Sequence, residues 1–199
     1  MDTPETVHAF WFGPLADDAA VARAQARQWW KKDARTDALM RERFAALVTG
    51  AATGTLDDWL TRPAGRLALI LLTDQFPRNM YRGTPRSFAY DRLARAWCVA
   101  GLERGDDRSL RPIERVFFYL PLEHSESLDD QQRSVALFAT LADEAPAAHR
   151  AVFDDYLAYA LRHRDIVARF GRFPHRNGIL GRTSTAQEHA FLGKRGSSF

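Results

Sequence analysis

Arginine, histidine and carboxylate side chains gather in three short stretches of this chain. DQFPRNMYRGT (74–84) and GRFPHRNGILGRTST (171–185) both run Phe-Pro, then arginine and asparagine, then glycine and threonine. Between them lies PLEHSE (121–126), in which Glu123 and Glu126 bracket His124. A guanidinium presents a planar fork of donors that suits carboxylate or phosphate. The first stretch supplies Arg78, Asn79 and Arg82, and the second supplies Arg172, His175, Arg176, Asn177 and Arg182. Gly171, Gly178 and Gly181 interrupt the second, a composition that lets backbone N–H groups and guanidiniums converge on an anion. A histidine beside a glutamate has the parts of a base with an orienting partner. That spacing matches no familiar metal motif, no HExxH occurs, and neither a metal nor a cofactor is expected.

These side chains must be positioned by helices, because apolar residues recur at helical spacing and no segment alternates as a strand would. Thr3-Pro4 reads as a cap and first-turn proline for a short helix to Gly13. Helices follow at about 17–31, with Ala19, Ala22, Ala26 and Trp29 or Trp30 aligned, and about 34–49, with Met40, Phe44, Leu47 and Val48 aligned. LALILL (67–72) is apolar all round and should lie at the centre of the core. A residue before proline disfavours the α region, so the helices are expected to stop near Phe76 and Phe173. Thr84-Pro85 should then cap a helix to about 104, with Phe88, Leu93, Ala96 and Trp97 inward.

A helix at about 110–120 is expected to turn Ile113, Val116, Phe117 and Leu120 inward and to end or kink at Pro121. Ser127 with Asp130, and Thr185 with Glu188, have the spacing of capping boxes. The longest helix, about 147–170, aligns Val152, Tyr156, Tyr159, Ala160, His163, Val167 and Phe170. His163 therefore reads as a core histidine with satisfied nitrogens, not as a titrating base. The expected fold is all-α: one domain, 1–199, of eight or nine helices packed as antiparallel pairs.

Composition bounds the function. Apolar residues make up 46% and charged residues 27%, as in ordinary globular chains. The six-residue apolar run is far too short to span a bilayer, so no membrane partner is expected. The acidic N-terminus is unlike a secretory signal, and the lone Cys98 suits a reducing cytoplasm, in which it reads as a small buried hydrophobe. Net charge is +3, but from Arg150 onward nine basic residues face four acids. Nearly all the bases are arginine. No nucleic-acid motif or long basic helix accompanies them, and the five tryptophans sit at packing positions, so nucleic acid is not an expected partner.

Several longer blocks carry a family resemblance. They are VHAFWFGP with WWKKD, RPAGRLALILLTDQFPRN, ERVFFYLPLEHSE with DQQRSV, RHRDIVARFGRFPHRNGILGRTST and AQEHAFL. Together they resemble the bacterial family known as domain of unknown function 924 across almost the whole chain. The resemblance implies a tetratricopeptide-like helical fold and brings neither an activity nor a set of catalytic residues with it.

Three functions follow as expectations. The first is a binding protein in which the FPRN, LEHSE and FPHRN segments form one polar cleft for a small phosphate or carboxylate group. A helical scaffold for a protein or peptide partner is the second, by analogy of fold. A hydrolase using His124, oriented by Glu123 or Glu126, is the third. Clustered guanidiniums need acids or an anion between them. PLEHSE is therefore expected to lie between the two arginine segments, with a carboxylate bonded to Arg78, Arg82, Arg172, Arg176 or Arg182.

Overall fold

The structure, a computed structural model, describes residues 2–194, 196 and 197. Among them, helix is the sole regular element: α1 (Pro4–Phe12), α2 (Asp18–Trp30), α3 (Ala34–Ala52), α4 (Pro63–Ile70), α5 (Phe76–Met80), α6 (Asp91–Arg104), α7 (Pro112–Glu123), α8 (Leu128–Glu144), α9 (Arg150–Phe170) and α10 (Ala186–Leu192). Helices α4 and α5 are joined without a break by a π turn, Leu71–Gln75. The chain is all-α, as its periodicity implies. Helix α8 packs along α9 and along α7, and the α4–α5 rod contacts α1, α3, α6 and α7. Leu67 to Leu72 are fully buried on that central rod.

The first expected helix stop is absent. Phe76 keeps helical backbone angles (φ −63°, ψ −43°) although Pro77 follows it. Its ring is fully buried against Phe10, Trp11 and Phe44, and that packing outweighs the local bias against the α region. A proline ring would clash with the carbonyl four residues back in a regular α-helix; the wider π turn just before it relieves that crowding. The rod ends later, at Tyr81.

At the second copy the stop comes before the Phe-Pro pair. Gly171 caps α9 in the left-handed conformation (φ 68°), which glycine adopts without a Cβ clash. Phe173 is extended, and Pro174 begins a 3₁₀ turn. The two similar sequences thus fold differently.

Other boundaries move for local reasons. Thr84-Pro85 opens only a 3₁₀ turn, Pro85–Phe88, and α6 begins at Asp91. The buried stripe of α6 is Ala94, Trp97, Cys98 and Gly101, leaving Ala96 exposed. Pro121 lies inside α7, which continues to Glu123. Ser127 makes no side-chain cap; Asp130 instead accepts from Ser125 and Arg95. The box at Thr185 forms as expected, Thr185 N donating to Glu188 and Glu188 N to Thr185 Oγ1. On α9, Tyr159 is exposed, while Phe153, Ala160, His163, Ile166 and Val167 face inward. Cys98 is buried, and loss of solvation raises its thiol pKa far above the ordinary value.

Candidate functional site

The π turn does more than accommodate Pro77. It sets Asp74 fully inside the protein, facing the end of α7. There Asp74 Oδ1 lies 2.7 Å and Oδ2 3.0 Å from His124 Nδ1. An ionised carboxylate only accepts, so the ring donates through Nδ1. Gln75 Nε2 donates to Asp74 Oδ2 at 2.6 Å, and Arg78 Nη1 lies 3.1 Å from Asp74 Oδ1. Burial alone would raise the Asp74 pKa; Arg78 and His124 outweigh it and hold the group well below the usual carboxylate range. His124 responds the opposite way. Burial and the Arg78 charge push its pKa below 6.5 despite Asp74, so the ring is neutral at pH 7.

The expected orienter was Glu123 or Glu126, and the structure replaces both with Asp74. Helix geometry decides this, because Glu123 precedes the C-cap position held by His124 and turns inward to α9. Glu123 Oε1 is 3.1 Å from His163 Nδ1, which also lies 2.9 Å from the Tyr159 carbonyl. Burial, with the Asp74 charge nearby, pushes Glu123 up to about 8, and burial pushes His163 down to about 3. At neutral pH this is an uncharged acid beside an uncharged imidazole, in keeping with a core histidine. Gln131 Nε2 donates to the Glu123 and Ser125 carbonyls at 2.6 and 2.7 Å, pinning the turn that carries His124.

Glu126 binds the other arginine segment. It accepts from Phe173 N at 2.7 Å and from Arg182 Nη1 and Nη2 at 2.7 and 2.9 Å. PLEHSE therefore does lie between the two segments with a carboxylate on an arginine. Arg182 also donates to Asn177 Oδ1 and the Phe173 carbonyl, and Asn177 Nδ2 to Ser184 Oγ. Arg172 forms a two-point pair with Glu188 at 2.7 and 2.8 Å. That pairing, with the Thr185 N–H, draws the Glu188 pKa far down.

In the first segment, Arg78 takes Asp91 at 2.8 and 2.9 Å. Arg82 takes Asp37 at 2.7 and 3.2 Å and donates to Asn79 Oδ1 at 2.7 Å. Asn79 Nδ2 is enclosed with no hydrogen-bond partner among the described residues. Four of the five arginines thus hold a close carboxylate.

Arg176 differs. Its Nη1 donates to the His124 carbonyl at 3.0 Å, and its nearest carboxylate among the described residues, on Asp91, stands at 3.7 Å. The guanidinium lies between the rings of Phe88 (4.9 Å) and Phe173 (4.4 Å). The residue is 6% exposed, and its Nε has no hydrogen-bond partner among the described residues. Burial, with Arg78 nearby, lowers its pKa to about 10, which leaves it charged at pH 7. His175, beside it, is driven down to about 4 by burial and the Arg176 charge.

Two surface depressions flank this network. One of about 360 Å³ includes Asp37, Arg41, Asn79 and Arg82. The other, about 400 Å³, is lined by Arg169, Phe170, Arg172, Thr185, Gln187 and Glu188. Of the eleven expected ligand residues, Asn79 and Arg82 line the first depression and Arg172 the second; the other eight line neither, so they do not form one cleft. Among the described residues no group of three or more His, Cys, Asp and Glu is placed to hold a metal, and no helix is long and apolar enough to cross a membrane. Residues that sequence reasoning left out of the site are Asp91, Asp37 and Phe88. Nothing in their local sequence marks them, since each is brought in by a different element.

No match is found among curated proteins. A solved structure described as a protein of unknown function, ATU0120, from Agrobacterium tumefaciens is similar, at 42% identity and a TM-score of 0.77. The likeness covers 89% of this chain and 99% of that one. The family model described as "Bacterial protein of unknown function (DUF924)" matches residues 7–196. With nearly its whole length matched, and with the fold shared, the chain belongs to the DUF924 family.

Proposed function

We propose that this is a binding protein for a small anionic group, phosphate or carboxylate, and that the receptor is the corner formed by Arg176 and His124. The observation that carries the reading is the pairing of Arg176. It is a buried, charged guanidinium with, among the described residues, one full hydrogen bond and no carboxylate closer than 3.7 Å. A buried cation left in this state costs several kcal/mol or so, which an anion would offset. The other arginines serve a different purpose. Arg78, Arg82, Arg172 and Arg182 are each neutralised at short range, by Asp91 of α6, Asp37 of α3, Glu188 of α10 and Glu126 of PLEHSE in turn, and tie those elements together.

Thermal-shift titration with inorganic phosphate, phosphorylated metabolites and dicarboxylates tests this. A ligand at about 100 times its Kd adds about 2.7 kcal/mol, which raises the midpoint of a chain of this size by roughly 5–10 °C. The Arg176→Met variant keeps the apolar contacts of the side chain and should lose the shift. Equal responses from Arg176→Met and wild type to every hit would remove the reading.

A further inference from the structure

We infer that Asp74 and His124 form a general-base dyad that activates water against an ester of the anion held at Arg176. The inference rests on the anion-binding reading and adds a reaction to it.

Three independent observations support it. The first is orientation: both Asp74 oxygens meet the ring at one nitrogen, Nδ1, at 2.7 and 3.0 Å. That selects the tautomer whose lone pair sits on Nε2. The second is what Nε2 does. It makes no hydrogen bond among the described residues, it is not one of the enclosed unpaired atoms, and the ring keeps 14% of its surface exposed. A base needs that free lone pair, whereas a purely structural histidine in a charged network would use both nitrogens. The third is the backbone. Asp74 is delivered by a π turn, a helix distortion frequent at functional sites, inside a fully buried stretch of the central rod.

The groups facing the ring come from every neighbouring element. They are Asp74 and Arg78 from the central rod, Asp91 from α6, His163 from α9 at 6.4 Å between ring centres, and, from the C-terminal loop, His175 and Arg176, the latter bonded to the His124 backbone carbonyl. In the reaction, a water O–H proton passes to His124 Nε2 as the water oxygen bonds to the acyl carbon or phosphorus. The ester bond breaks, and the leaving oxygen takes the proton from the imidazolium. Arg176 holds the anionic group of the substrate. Asp74 touches no substrate and is a positioning residue: it fixes the tautomer and stabilises the imidazolium. Water is the single co-reactant.

Site-resolved diethyl pyrocarbonate labelling at pH 7 reads the free Nε2 directly, and 4-nitrophenyl acetate turnover reads its basicity. We expect prompt labelling of His124 in the folded protein, slowed several-fold by inorganic phosphate. Turnover should fall by about 10²-fold or more in His124→Asn, the usual scale for a general base. The pH–rate profile of the wild type should rise with an apparent pKa below 6.5, and in Asp74→Asn, which lacks the charge that raises the ring pKa, the rise should move lower still. His124→Asn, folded by circular dichroism, keeps the comparison sound if Asp74→Asn does not fold. An unlabelled His124, or equal turnover in His124→Asn, overturns the dyad and leaves the anion site standing. Labelling and turnover that depend on His124 but ignore phosphate overturn the anion site and the proposed substrate class with it.

Discussion

Glu126→Ala should open the C-terminal loop while leaving the central rod intact. Glu126 supplies three acceptor contacts, to Phe173 N and to both Nη atoms of Arg182, at 2.7–2.9 Å. Hydrogen bonds to a charged group contribute about 1.5–3 kcal/mol each when isolated. Two features reduce the total. The Arg182 and Glu126 side chains keep 24% and 28% of their surface exposed, so solvent screens the pair. Arg182 also retains Asn177 Oδ1 and the Phe173 carbonyl. What remains is chiefly the stranded Phe173 N–H and a weakened ion pair, together about 2–3 kcal/mol. Urea unfolding should show this loss with an unchanged slope. Amide exchange should accelerate at residues 173–185 far more than at Leu67–Leu72. The pH dependence has a definite sign. Arg182 and the Phe173 N–H outweigh burial and hold the Glu126 carboxyl below its ordinary 4.5. A depressed acid stabilises the fold above its unfolded pKa and loses that contribution as pH falls through the folded one. The gap between wild type and variant should therefore close below about pH 4.5. A loss under about 0.5 kcal/mol, or exchange that rises equally everywhere, would refute the lock.

Glu123→Gln should flatten the pH dependence of stability. The acid is raised to about 8, so the fold keeps a proton that the unfolded chain sheds near 4.5, and wild-type stability falls between those values by up to about 1.4 kcal/mol per pH unit. The amide cannot titrate, so the variant should gain on wild type across that window and hold a constant lead above it; parallel urea midpoints from pH 5 to 9 would contradict this. Gly65→Ala should destabilise by about 1–3 kcal/mol or more, because a Cβ there would stand 2.1 Å from the Trp59 carbonyl oxygen, which is backbone and cannot swing aside. An unchanged denaturation midpoint would show that the turn before α4 yields more readily than its geometry indicates.

The helices themselves were readable in the sequence. Helical spacing of apolar residues located α2, α3, α7 and α9, and the all-apolar LALILL run identified the buried rod. The Thr185–Glu188 box also formed where its spacing put it. These signals are local: each depends on residues within one or two turns of one another. That carboxylates would be needed between the arginine segments was readable too, from charge alone, and Glu126 met that need.

Tertiary structure decided everything that required a choice between distant partners. Phe76 stays helical before a proline because three aromatic rings from α1 and α3 enclose it, a fact no local propensity contains. His124 had two glutamates within reach along the chain, yet its partner is Asp74, fifty positions earlier, because the π turn rotates that carboxylate toward the end of α7. Arg78 and Arg176 are equivalent in sequence, each following a Phe-Pro motif. One meets Asp91 at 2.8 Å and the other stops 3.7 Å away, between two phenylalanine rings. Composition determined that arginines would need partners. Only the packing of α6 and α7 against the loop determined which one would be left without a close carboxylate, since a single Asp91 cannot hold both guanidiniums at short range.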